Sequence, residues 1–172
     1  MIKPITKTAL KGIALAMGYA DIDERNAMTH LKLDGSFVDE VLGFLGCRRQ
    51  QPTFGYLNAL IDAFICRVPW ESVFRLIKRD ASSETSDCPR WPREVWNDAM
   101  NFDGGGTCFE INYAFFALLS ALGYEGYMTL NDMTEARACH AAIVIVLDGQ
   151  KCLVDVSVPF PRAFAFYPNS TV

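Results

Sequence analysis

Apolar positions along the chain follow two different periods. In the front part they recur every three or four residues, the spacing of one helix face. Between Thr53 and Arg67 the residues Leu57, Leu60, Ile61, Phe64 and Ile65 line one side. Between Trp70 and Lys78, Val73, Phe74 and Ile77 do the same. Asp34 to Gly46 has a start signal at Ser36 and a stop at Gly46. These segments read as amphipathic helices whose stripes face a core. Asp80 to Pro92 is polar and ends in proline, so it reads as a loop. Arg93 to Met100 reads as a short helix leading into Gly104, Gly105 and Gly106.

A further helix opens at the glycine run. Thr107 and Glu110 have capping-box spacing, which makes Thr107 the N-cap and Cys108 the first helical residue. Phe109, Tyr113, Phe115, Phe116, Leu118, Leu119 and Leu122 continue the helix, and Gly123 ends it. The period then shortens. Tyr124 to Leu130 reads as a strand, and Asn131 to Arg137 as a polar connection suited to a substrate-selecting loop. Ala141 to Leu147 and Gln150 to Val156 are strand-like runs joined by Asp148-Gly149, the signature of a type I′ hairpin. Counting outward from that turn, Leu147 faces Gln150, Ala142 faces Asp155 and His140 faces Ser157. The fold class is α+β. A helical N-terminal region over 1–92 precedes a core over 93–172, where the Cys-bearing helix packs on a small antiparallel sheet.

Composition narrows the class. Of 172 residues, 51% are apolar and 21% charged, as in globular chains and unlike disordered ones. A net charge of −4 argues against a nucleic-acid partner, which selects a basic face. Arg67, Arg75, Lys78 and Arg79 cluster, and read as a solvated helix face. No apolar run is long enough to span a membrane. Lys3, Lys7 and Lys11 with the apolar stretch from Gly12 to Gly18 faintly resemble a signal peptide, but an amphipathic helix fits better. The cysteines, Cys47, Cys66, Cys88, Cys108, Cys139 and Cys152, form no C-x-x-C pair. Reduced thiols and a cytoplasmic location are expected. Cys108, Cys139 and His140 lack zinc-ligand spacing, so no metal is expected.

The candidate chemistry lies at Cys108. A thiol in the first turn of a helix meets unpaired N–H groups and the positive end of the helix dipole, which favour a thiolate. A nucleophilic thiol needs a base within reach, and that base needs a carboxylate to fix its tautomer. Only His30 and His140 are available as the base. The hairpin register makes His140 and Asp155 diagonal neighbours on one face, roughly 7 Å apart between Cα atoms. Cys108, His140 and Asp155 therefore read as nucleophile, base and orienting carboxylate.

These residues also carry a family resemblance. Gly105-Gly106-Thr107-Cys108-Phe109-Glu110-Ile111-Asn112 resembles the arylamine N-acetyltransferase signature R-G-G-aromatic-C-aromatic-E-x-N. Leu153-Val154-Asp155-Val156 resembles that family's L-V-D-V-G-F-G, and His140 falls where its histidine does. Pro52 to Leu60 resembles P-T-L-x-x-L-x-x-L, and Val68-Pro69-Trp70-Glu71-Ser72-Val73 resembles V-P-F-E-N-L. Departures stand at Gly104 for the arginine, Thr107 for the aromatic, Ser72 for the asparagine, and Ser157-Val158-Pro159 for glycine-aromatic-glycine. The chain stops seventeen residues after Asp155, so a fragment without the family's C-terminal domain, or a compact relative, is expected.

The resemblance implies a transglutaminase-like or papain-like core and ping-pong acyl transfer. Cys108 would take an acetyl group from acetyl-coenzyme A, a co-substrate rather than a bound cofactor, and pass it to an arylamine or hydrazine. Phe102, Gly105, Gly106, Thr107, Phe109 and Trp70 are the expected substrate lining. Two other readings stand beside this one. One is a hydrolase or amide synthase using a different acyl donor; the other is a non-catalytic interaction module, which Gly104 slightly favours.

Overall fold

The computed structural model describes residues 29–133, 136–158 and 160–166. The stretch from Lys3 to Gly18 therefore lies outside the described residues. Helices α1 (Gly35–Leu45), α2 (Phe54–Ile65), α3 (Val73–Ala81), α4 (Pro92–Phe102) and α5 (Cys108–Ala121) come first. Strands β1 (Glu125–Met133), β2 (Ala136–Leu147), β3 (Gln150–Val154) and β4 (Phe164–Ala165) follow as an antiparallel meander in sequence order.

Helix α5 organises the molecule. Every residue from Cys108 to Leu119 is buried, because α4 packs on one side and the sheet on the other. A helix enclosed in this way is apolar on nearly every side, as α5 is apart from the buried Glu110 and Asn112 near its start. Trp96 of α4 is fully buried and donates its indole N–H to the Ala114 carbonyl at 3.0 Å. Phe64 of α2 meets Trp96 and Phe115 edge-on, at centroid separations of 5.4 and 5.0 Å. Burying a side chain of this size contributes about 1.5–3 kcal/mol relative to leaving it exposed.

Helix ends explain where the structure departs from the pattern. Helix α1 starts at Gly35, because Asp34 rather than Ser36 is the N-cap; its carboxylate accepts the Phe37 N–H at 2.9 Å. Gly46 at φ 70° and Gly123 at φ 90° close α1 and α5 in the left-handed conformation that favours glycine. Helix α3 begins at Val73, not Trp70, since Pro69 to Glu71 pair with the glycine run instead. Of its expected apolar stripe Val73 and Ile77 are exposed, and Phe74 is half-buried beside Arg90 and Gly104 rather than in the core. Helix α4 extends to Phe102, two residues beyond the expected end. The expected polar connection from Asn131 to Arg137 is mostly strand: Asn131 pairs with His140 and Met133 with Ala136.

The hairpin follows the count at its turn, but the expected pairs Ala142–Asp155 and His140–Ser157 lie outside the ladder. Asp148 at φ 50° and Gly149 at φ 79° form the turn, and Leu147 pairs with Gln150. Pairing runs inward to Ile143 and Val154, after which β3 ends and Asp155 leaves the ladder.

Candidate active site

Cys108 is 9% exposed, at the N-terminus of α5. Asn112 lies one turn on, on the same helix face. Its Nδ2 donates to the Ala141 carbonyl at 2.8 Å and to Asp155 Oδ1 at 3.0 Å. Its Oδ1 accepts the Val156 N–H at 3.1 Å. One buried amide thus ties the Cys-bearing helix to β2 and to the segment beyond β3. That lacing brings Cys108 Sγ to 4.0 Å from the Cys139 carbonyl oxygen, next to His140.

His140 Nε2 stands 2.5 Å from Asp155 Oδ2. A carboxylate there accepts Nε2–H, which leaves Nδ1 as the ring's acceptor. Asp155 Oδ1 meanwhile accepts the Ser157 N–H at 2.9 Å and the Ser157 hydroxyl at 2.6 Å. Burial alone would raise the Asp155 carboxyl. The bonds from the Ser157 hydroxyl, Asn112, His140 and the Ser157 N–H outweigh it and hold the group below the ordinary carboxylate value.

The thiol does not follow the simple dipole expectation. Burial pushes Cys108 above its ordinary value, the backbone at Ala141 pulls it down, and the Asp155 charge pushes it up again. The helix N-terminus is thus outweighed by removal from water. A thiolate here needs a cation beside it.

The glycine run packs against its own chain. A Cβ at Gly105 would stand 1.8 Å from the Pro69 carbonyl oxygen, and one at Gly106 would stand 2.9 Å from the Glu110 Cβ. Glu71 N–H donates to the Gly106 carbonyl at 3.1 Å, and Gly106 N–H to the Pro69 carbonyl at 3.3 Å. Glu71 also accepts the Gly105 N–H at 3.2 Å, and its other oxygen accepts from Val73 and Phe74. The missing side chains at Gly105 and Gly106 therefore admit Pro69 and Glu110.

The rest of the expected lining divides. Trp70, bridged to Gly106, is 62% exposed and Phe102 is 69% exposed. Thr107 is partly buried, and its N–H and hydroxyl donate to Glu110 at 2.9 and 3.0 Å. Phe109 is buried among the core residues, so it does not present a lining surface. Sequence reasoning gave no role to Asn112 or Arg90. Asn112 was visible in the E-x-N element; Arg90 lies in a segment that reads as loop and carries no signal. Cys47, Cys66, Cys88, Cys108 and Cys152 are free thiols. Among the described residues no cluster of three or more His, Cys, Asp or Glu is placed to hold a metal. No described helix is long and apolar enough to cross a membrane.

A buried Cys-bearing helix on a four-stranded antiparallel sheet, with His140 and Asp155 brought to its N-terminus, is the transglutaminase-like architecture. Within it the family is defined: the family model described as N-acetyltransferase matches residues 53–168, and the chain belongs to that family. Solved structures agree. The arylamine N-acetyltransferase from Mycobacterium abscessus is 22% identical, with a TM-score of 0.60, over 78% of this chain and 48% of its own. The enzyme from Salmonella typhimurium is 20% identical, with a TM-score of 0.64, over 80% of this chain and 51% of its own. A third, from Bacillus cereus, is 17% identical, with a TM-score of 0.60, over 77% of this chain and 54% of its own. That protein is described as having a Cys-His-Glu triad; the carboxylate beside His140 here is an aspartate. The chain spans about half the length of these relatives. No curated protein matches it.

Proposed function

We propose that the chain performs acetyl transfer from acetyl-coenzyme A to an arylamine or hydrazine through an acetyl-Cys108 intermediate. The observation that carries this reading is the Asp155–His140 contact at 2.5 Å, held beside Cys108 by Asn112. His140 Nδ1 takes the Cys108 proton, and the thiolate attacks the thioester carbonyl. The coenzyme A thiolate leaves and takes the proton from His140. The amine nitrogen then attacks acetyl-Cys108, gives a proton to His140, and the N-acetyl product departs as the Cys108 thiol reforms. Backbone N–H groups at the start of α5 would face the oxyanion. Free thiols at Cys47, Cys66, Cys88, Cys108 and Cys152 fit a reducing compartment such as the cytoplasm.

The test is intact-protein mass after incubation with acetyl-coenzyme A or p-nitrophenyl acetate. One acetyl group on Cys108 from either donor is expected, absent in His140→Ala and discharged by an added hydrazine. Labelling by p-nitrophenyl acetate alone would reject coenzyme A as donor. Labelling that decays equally fast without amine would mean hydrolysis. No adduct with either donor, and iodoacetamide alkylation unaffected by His140→Ala, would make the chain an interaction module.

A further inference from the structure

The arginine of R-G-G is absent at position 104, yet a guanidinium reaches the same turn from elsewhere. Arg90, between the 3-10 turn at Thr85–Asp87 and α4, is 1% exposed. Its Nη1 donates to the Gly105 carbonyl at 3.0 Å and to Glu110 Oε1 at 3.2 Å. Its Nη2 donates to Asp98 Oδ2 at 2.7 Å. The Phe74 ring lies over the guanidinium at 5.4 Å. That same ring leaves no room at position 104, where a Cβ would come within 2.8 Å of it. Gly104, Phe74 and Arg90 are thus mutually consistent.

We infer that Arg90 is a positioning residue for Cys108, holding the glycine turn on one side of the thiol and Glu110 on the other. The proposal rests on the acyl-transfer reading for its consequence in catalysis, though not for its geometry. The other Glu110 oxygen fixes the N–H and hydroxyl of Thr107, the residue before Cys108. Arg90 to Glu110 to Thr107 is a continuous chain of bonds ending at the residue before the nucleophile. Arg90 also neutralises charge. Glu110 is 2% exposed and stands in the first turn of α5, two residues from Cys108. Unpaired, its carboxylate would oppose a thiolate. A buried cation with fixed fork geometry, sharing its donors among a carbonyl and two carboxylates, suits arginine and not lysine.

The test is the pH profile of Cys108 alkylation by iodoacetamide, read beside near-UV circular dichroism. Other charges facing the thiol, those of His140 and Asp155, are kept in every variant. Arg90→Met is expected to move the alkylation midpoint upward by about half a pH unit to one unit, slowing the reaction at pH 7 about threefold to tenfold. Glu110→Gln, which keeps the cap acceptor, is expected to move the midpoint downward. The double variant returns it close to the parent. A purely structural role for Arg90 predicts looser folding but no shifts of opposite sign. A folded Arg90→Met protein with the parental midpoint would overturn the proposal. If Arg90→Met does not fold, an unchanged midpoint in Glu110→Gln overturns it and a lowered one supports it. These comparisons are between variants, so they read out even if the parent transfers no acetyl group.

Discussion

At Asp155 the two carboxylate oxygens are not equivalent. Oδ1 receives only donors: the Ser157 N–H, the Ser157 hydroxyl and Asn112 Nδ2. Oδ2 faces His140 Nε2. In Asp155→Asn the amide oxygen is therefore locked at the Oδ1 position, and the NH2 must face the ring. A donor there forces Nε2 to accept and puts the proton on Nδ1, the nitrogen needed as base. The expected outcome is a fall in Cys108 acylation rate of about 10³–10⁴-fold with the fold retained. Asn112→Ala fails differently. It removes the partner of two carbonyl or carboxylate acceptors and one N–H, all buried or nearly so. A loss of about 2–4 kcal/mol is expected in urea unfolding, with slower acylation in the protein that remains folded. A stable but slow Asn112→Ala and an active Asp155→Asn would reverse the roles assigned here.

At the scale of elements, glycine separates turns that need no side chain from turns that tolerate one. Gly105 lies against the Pro69 backbone, so Gly105→Ala must force apart the bridge between Pro69–Glu71 and the glycine run. Gly43 sits inside α1 with nothing within 4 Å of a built Cβ. Gly43→Ala should stabilise by about 0.5–1 kcal/mol in thermal melts, while Gly105→Ala should cost about 3 kcal/mol or more and abolish Cys108 reactivity. The contrast also shows what was legible in the sequence. Local rules carried the capped start of α5, the Asp148-Gly149 turn and the register from Leu147–Gln150 to Ile143–Val154, because each depends on neighbours in the chain. Choices between adjacent signals were not settled locally: Asp34 won over Ser36 as the α1 cap because its carboxylate reached the Phe37 N–H. Long-range packing left no trace. Glu71, Gly105 and Glu110 lie in recognisable motifs, but neither the pairing of Glu71 with Gly105 nor the reach of Arg90 to Glu110 is written in them, since the partners are 34 and 20 residues away.

Across the whole molecule, protonation is linked to the docking of the front segment through His30 and Asp34. His30 stacks on Trp91 with ring centroids 4.1 Å apart, and burial holds its pKa below the ordinary 6.5. Asp34, also in the front segment, is held at about 2 by bonds from the Ser36 hydroxyl, the Phe37 N–H and Arg93. Arg93 in turn lies over the Phe37 ring at 4.0 Å, so residues 29–45 dock on the start of α4 through groups that titrate. The signs agree. An unfolded chain binds a proton at His30 before the folded one does, so that stability is intact above 6.5 and declines as pH falls toward the lower folded value. Asp34 and Asp155 also have depressed values, so their contributions are intact above the ordinary carboxylate range and fade only as pH falls through it, that of Asp34 toward about 2. Calorimetric Tm should therefore fall in two stages on acidification, one beginning near 6.5 and one below about 4. His30→Phe keeps the stack on Trp91 and removes the titration, so it should flatten the first stage and leave the second. A first stage unchanged in His30→Phe would move the proton-linked step away from the contact between α4 and the front segment.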